Sequence, residues 1–159
     1  MAMLVSFALA GLTPALGADP LGPKVGSRVP FRGVQINTDE FGQDIEGDAA
    51  NEPTLAVSPV DPDVLVVGWR QFPTIESDSR FAGYAYSHDG GFTWTNAGPL
   101  DAPPDQPPDA EQSDPVLAVD SDGVFYYWSE VFRPNPPTTH YVYRSQDDGV
   151  TWDAPTKVQ

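Results

Sequence analysis

The sequence of 159 residues has no cysteine, two histidines and only 8 Lys plus Arg. Without cysteine there is no disulfide, no zinc–thiolate centre and no thiol nucleophile. His88 and His140 leave little for imidazole metal sites, so no metal and no cofactor are expected. The 8 basic residues face 23 acidic ones, a formal net charge of −15. That balance excludes a nucleic-acid binder that works by neutralising phosphates, and it disfavours attraction to anionic membranes. No apolar run is long enough to span a bilayer, so stable membrane insertion is not expected. A serine-hydrolase elbow, a phosphate loop and an HExxH motif are also missing. What the chain does have is 14 Gly and 18 Pro beside 40% hydrophobic and 11% aromatic residues. This composition predicts a folded chain of many short elements and not a disordered tail.

Residues 1–17 carry no charge and centre on the apolar run Met3 to Leu12. That length suits the core of an export signal. Ala15 and Gly17 are small residues suited to cleavage before Ala18, although a basic residue near the start is lacking. The expected destination is secreted or periplasmic. A buried strand is the alternative for this segment, weakened by Pro14 and Gly17 that follow at once.

The rest of the chain repeats. Glu52–Val57 (EPTLAV) returns as Asp114–Val119 (DPVLAV), 62 residues on; Trp69 returns as Trp128, 59 on; Ser87–Trp94 (SHDGGFTW) returns as Ser145–Trp152 (SQDDGVTW), 58 on. The offset shrinks where SPVDPD gives way to the shorter DSDG, a turn in which length changes are tolerated. Runs of β-branched and aromatic residues predict four strands per repeat. They are 54–57, 64–69, 81–86 and 93–95 in the first, and 116–119, 124–128, 141–143 and 151–152 in the second. Val64 to Val67 is apolar on both faces, as in a sheet covered on both sides. No helical period is evident. Four-stranded units at this spacing predict an all-β chain of β-propeller blades.

The form Ser-x-Asp-x-Gly-x-Thr-Trp has a physical basis at each fixed position. Asp89 and Asp147 can accept backbone N–H bonds across a tight turn, and Gly91 and Gly149 permit a positive φ. Thr93 and Thr151 are expected to restart a strand, and Trp94 and Trp152 to bury a ring against the blade. Ser87 and Ser145 open the two copies.

These two segments resemble Asp boxes, or BNR repeats, the hairpin motif of the six-bladed propellers of the sialidase (neuraminidase) superfamily; the resemblance covers residues 51–159. It implies two four-stranded antiparallel blades of a six-bladed ring, with the box between the third and fourth strands and away from an active site. Asp89 and Asp147 are therefore structural. A glycosidase carboxylate pair would need the two within about 10 Å of each other.

Sialidases hold the sugar carboxylate with clustered arginines and use a Tyr–Glu nucleophile and an Asp acid and base. At the first cluster arginine this chain has Asn51, followed by Glu52, whose charge would repel that substrate. Arg28-Val29-Pro30 has the family's local pattern but lies too far upstream of the first box. Arg70 matches another cluster arginine, and Glu76 or Asp78 lies on the loop that carries the acid and base. The plainer reading pairs Arg70 with a nearby carboxylate and leaves Thr74–Ser79 a solvated loop. Tyr141 and Tyr143 are better explained by packing between blades.

The acidic, Pro-rich connection 101–113, with Asp101, Asp105, Asp109 and Glu111, offers oxygen ligands for calcium, but its spacing favours an extended, solvated linker. Phe132–His140, with Arg133, is the second repeat's counterpart of the Arg70 loop. The expected organisation is a signal at 1–17, an extension at 18–50 with Val34–Asn37 as a ring-closing strand, blades at 51–100 and 114–159, and the 101–113 connection between them. A six-bladed ring takes on the order of 350 residues, so the remaining blades of a longer parent are expected as partners. Two function classes follow: an exported propeller fragment that recognises a glycan or an extracellular protein without chemistry, and the amino-terminal part of an exo-α-sialidase or another glycoside hydrolase.

Overall fold

The computed structural model describes Leu4, Val5, residues 33–132 and residues 138–158. The expected export signal, apart from Leu4 and Val5, lies outside these residues, as do Arg28-Val29-Pro30 and Arg133. Among the described residues there is no helix. Two four-stranded antiparallel sheets lie within residues 49–158.

The first sheet runs in chain order β3 (Ala49–Val57), β4 (Leu65–Phe72), β5 (Phe81–Ser87) and β6 (Thr95–Pro99). The second repeats this with β7 (Gln112–Val119), β8 (Phe125–Val131), β9 (Thr139–Ser145) and β10 (Thr156–Val158). A short pair, β1 (Leu4–Val5) with β2 (Val34–Gln35), precedes them. Val34–Asn37 was expected to supply a strand, and Val34 and Gln35 do so. The next two residues, Ile36 and Asn37, are fully buried, and Ile36 packs with Val67, Trp69 and Ala85 on one face of the first sheet.

The fourth strands start later than the residue pattern predicts. Thr93, Trp94, Thr151 and Trp152 all lie outside the strands. The reason is local: the N–H and hydroxyl of each threonine are taken by the aspartate four residues earlier, which removes them from the ladder. The first strands are longer than expected, because each continues through an irregular step, between Asn51 and Thr54 and between Ser113 and Val116. Such a step is a β-bulge, which bends an edge strand and re-aims its side chains.

Register corrects one of the repeat's landmarks. Val57 pairs with Leu65 as Val119 pairs with Phe125, so the first strands are offset by 62 residues and the second by 60. The structural counterpart of Trp69 is thus Ser129, and that of Arg70 is Glu130. Trp128 corresponds to Gly68. Since strand side chains alternate, this one-residue difference puts the two tryptophans on opposite faces. Trp69 is buried at 1% exposure, whereas Trp128 is half-buried and stacks on His140 with centroids 4.9 Å apart.

The sheets pack with β7 against β3, β4 and β5. Val66, Ala82 and Tyr84 of the first sheet meet Leu117, Phe125, Tyr127, Tyr141 and Tyr143 of the second. Tyr127 is the central knob. Its ring lies over Gly68, where a Cβ would come within 2.6 Å of it, and its hydroxyl donates to the Gly83 carbonyl at 3.1 Å. Trp152 meets Tyr84 and Tyr127 edge-on, at 5.7 and 5.8 Å.

The 101–113 connection is folded and not extended, although Asp101, Pro104, Asp105 and Pro107 to Asp109 are exposed, as a solvated connection implies. Its last two residues, Gln112 and Ser113, belong to β7. Pro103 is fully buried, and backbone bonds from Gln106 to Pro103 and from Ala110 to Pro107 fold the segment into turns. Tyr143 donates to the Asp101 carbonyl (2.8 Å) and to Gln112 Oε1 (2.9 Å), and Tyr141 donates to Asp105 Oδ1 (2.7 Å). As expected, Tyr141 and Tyr143 are buried packing residues. Their hydroxyls also pin this connection.

Candidate functional site: an arginine between two acidic bulges

The two hairpins of the repeated octapeptide share four hydrogen bonds centred on the serine and the aspartate, and the first adds one from Trp94 Nε1 to the Gly91 carbonyl (3.0 Å). In the first, the Ser87 hydroxyl donates to Asp89 Oδ1 (2.8 Å) and accepts from the Gly91 N–H (2.9 Å). Asp89 accepts from the Thr93 N–H (2.9 Å) and hydroxyl (2.6 Å). In the second, Ser145, Asp147, Gly149 and Thr151 make the same four bonds at 2.9, 3.0, 2.9 and 2.6 Å. Gly91 and Gly149 both have φ of 85°. Each turn joins the third strand of its sheet to the fourth. Trp94 packs on the cluster around Trp69, and Trp152 on the cluster around Tyr127. The turns also touch one another, with His88 Nε2 3.3 Å from the Asp148 carbonyl.

The hydrogen bonds from Thr93 hold the Asp89 carboxyl below the usual carboxylate range. Burial pushes the Asp147 carboxyl up, but the bonds from Thr151 and Ser145 outweigh it and leave this group low as well. A carboxyl depressed in the folded state contributes stability that is present above its unfolded pKa and lost as pH falls through its folded one. Chemical denaturation midpoints are therefore expected to fall as pH drops below about 4. Asp147→Asn should flatten that decline while lowering the midpoint at neutral pH.

Arg70 is paired with nearby carboxylates, as the plainer reading of the sequence has it. Arg70 lies on β4 opposite Asn51 on β3. Its Nε donates to Asn51 Oδ1 at 2.8 Å, and one terminal nitrogen sits 2.8 Å from Glu52 Oε1. The other terminal nitrogen reaches across to the second sheet, 3.5 Å from Ser113 Oγ and 3.6 Å from Asp114 Oδ1. The guanidinium lies 5.4 Å from the centre of the Phe72 ring, and the side chain is 18% exposed.

Asn51-Glu52-Pro53 and Ser113-Asp114-Pro115 are the corresponding bulges of the two repeats. Glu52 and Asp114 have φ of 54° and 51°, the left-handed region that side chains resist. These bulges turn both acids toward one arginine. Glu130, the counterpart of Arg70, stands beside Asp114 and makes the cluster a net anion. A hydrogen bond from Ser113 lowers the Asp114 carboxyl, burial opposes, and Arg70's charge lowers it further, with smaller effects from Glu130 and Glu52.

Glu76 and Asp78 are exposed on the loop after β4. Among the described residues, Arg70's ion-pair partners are Glu52 and Asp114, and neither Glu76 nor Asp78 joins them. The loop is held by other groups: the Ile75 N–H donates to the Gly47 carbonyl and the Ser79 N–H to Ser77 Oγ. Sequence comparison of the repeats did not reveal Glu130 or the role of Asp114. The usable signal was the pair of X-acid-Pro segments, Asn51–Pro53 and Ser113–Pro115, at the same place in each repeat.

Arg70→Met should cost about 1 kcal/mol at neutral pH, in the range of a partly exposed ion pair. The pH profile is the sharper readout. Arg70's charge helps to hold the Asp114 carboxyl low, so its removal should reduce the stability that this carboxyl contributes at neutral pH and flatten the decline seen as pH falls below about 4.

A second concavity, a cleft of about 220 Å³, lies on the other face of the first sheet, lined by Asp48, Trp69, Gln71, Phe72 and Asn96 among others. Its amides are engaged: Gln71 Nε2 donates to Asp48 Oδ2 (2.8 Å) and Asn96 Nδ2 to the Thr38 carbonyl (2.8 Å). Among the described residues, no group of three or more His, Asp or Glu is placed to hold a metal ion. No helix among them is long and apolar enough to cross a membrane.

No family model matches this chain. No curated protein matches it either. Among solved structures, it is similar to a protein of unknown function from Dyadobacter fermentans DSM 18053, with 23% sequence identity and a TM-score of 0.49. The match covers 70% of this chain and 37% of that one, so this chain aligns with little more than a third of that protein's length.

Proposed function

We propose that this chain is part of an exported Asp-box propeller of the sialidase-like kind, and that it recognises a glycan or an extracellular partner without cleaving it. Two four-stranded sheets with strands in chain order, the box between third and fourth strands, and face-to-face packing support the propeller reading. The observation that carries the noncatalytic reading is the state of Arg70. An arginine that receives a sugar carboxylate must offer its donors to it. Here the donors are taken by Asn51, Glu52, Ser113 and Asp114. The added charge of Glu52, Asp114 and Glu130 makes this cluster repel an anionic sugar and suits a neutral or cationic group.

The test pairs a fluorogenic sialoside with an array of neutral and sialylated glycans. The expected outcome is no fluorophore release and binding confined to uncharged glycans or to none. Release that disappears in Arg70→Ala and Glu76→Ala would establish the hydrolase reading instead.

A further inference from the structure

The cleft on the other face of the first sheet holds a buried carboxylate in a built setting. Asp48 is 3% exposed, and its Oδ2 accepts from Gln71 Nε2 at 2.8 Å and from Asn37 Nδ2 at 3.4 Å. Gln71 Oε1 in turn accepts from the Trp69 indole N–H. Trp69 lies over Gly83, where a Cβ would come within 2.5 Å of Nε1. Asp48, Gln71 and Trp69 all line the cleft, and Ile45, Phe72, Pro73 and Pro99 give it apolar walls.

The fold does not ask for this arrangement. Register puts Ser129, Val131 and Tyr141 of the second sheet at the places of Trp69, Gln71 and Gly83, and the offset of the first strands puts Ala110 at that of Asp48. The second sheet thus pairs its strands in the same way without the indole, the amide or the carboxylate. Burying a carboxylate is costly even when it is hydrogen-bonded, so one that the second sheet does without has a use other than folding the first.

We propose that this cleft binds a small organic ammonium ion with an apolar body, either a free primary amine or a lysine side chain. A carboxylate accepts hydrogen bonds and donates none, and beside apolar walls and aromatic rings it favours a cation over an anion. The net charge of −15 draws cations to the whole surface. A sugar fits less well: its several hydroxyls each need a partner, and the Gln71 and Asn96 amides are already spent within the protein. An ammonium head needs the carboxylate above all, and its alkyl or aryl part needs only the walls. At about 220 Å³ the cleft is smaller than the ~300–1,000 Å³ of drug-sized pockets, which limits the body to a short chain or a single ring.

Benzylamine and Nα-acetyl-lysinamide, titrated into the full chain while the indole N–H resonances are followed, test it. The expected result is a saturable shift of the Trp69 resonance with one or both amines, and none of Trp152, which packs between the sheets. A shift with benzylamine alone identifies a free amine as the ligand, and a shift with the lysinamide a lysine side chain. Benzyl alcohol, with the same body and no charge, should bind at least about tenfold more weakly. Asp48→Asn should weaken amine binding by at least the same factor. Should that variant fail to fold, Ile45→Trp, which fills the cleft from a partly exposed position, should abolish the Trp69 shift. No Trp69 shift with either amine, an equal response to benzyl alcohol, or binding that survives in folded Asp48→Asn or in Ile45→Trp would overturn the proposal. None of these outcomes bears on the glycan array, so the two readings can fail separately.

Discussion

Tyr127→Ala lowers stability by about 3–5 kcal/mol, the cost of emptying a well-packed aromatic site. The Tyr127 ring is fully buried between the sheets, over Gly68 and edge-on to Trp152. Gly68 has no side chain to collapse into the space, so the cavity persists. Tyr127→Phe separates packing from the hydrogen bond. It keeps the ring and removes only the bond to the Gly83 carbonyl, at a cost of about 1 kcal/mol. Urea titrations of both variants, followed by tryptophan fluorescence, give the comparison. Near-equal losses would mean that the ring is not the knob that joins the sheets.

Gly149→Val is the second large effect, about 2–4 kcal/mol from backbone strain and overpacking together. Gly149 has φ of 85°, which a β-branched residue adopts only under strain. A Cβ there would also collide with Val66 Cγ2 of the first sheet. The turn is therefore a packing element as well as a cap. Val150, one residue on, is exposed, and Val150→Ala should change stability by less than about 0.5 kcal/mol. A Gly149→Val protein as stable as its parent would show that the second turn does not rest on the first sheet.

Much of the fold was legible because it is local. Alternating apolar runs mark strands, and the octapeptide names a turn whose bonds stay within a few residues. The fourth strands were misplaced because Thr93 and Thr151 have β-forming side chains but spend their donors on an aspartate. Register was harder. SPVDPD has six residues and DSDG four, so the second strands should be offset by 60, and two tryptophans 59 apart cannot share a register. Chemical similarity of Trp69 and Trp128 overrode that count.

The site was half legible. Arg70 and the unfavourable Glu52 were both visible in the sequence, as was the plainer reading of Arg70 as a paired strand-end residue. Their meeting with Asp114 depends on two bulges and on the packing of one sheet on the other, which no linear spacing encodes. The hydrogen-bonded turns in the 101–113 connection were hidden for a similar reason. Asp and Pro suggest solvated chain, but the hydroxyls that hold it belong to Tyr141 and Tyr143, some 30 to 40 residues later.

Arg70 is committed to the protein's own carboxylates. The most direct measurement follows the Arg70 side-chain Nε–H resonance during titration with N-acetylneuraminic acid. The expected result is a slowly exchanging proton, bonded to Asn51, that does not shift as the sugar is added. A saturable shift of that resonance, absent in the response to a neutral hexose, would contradict it.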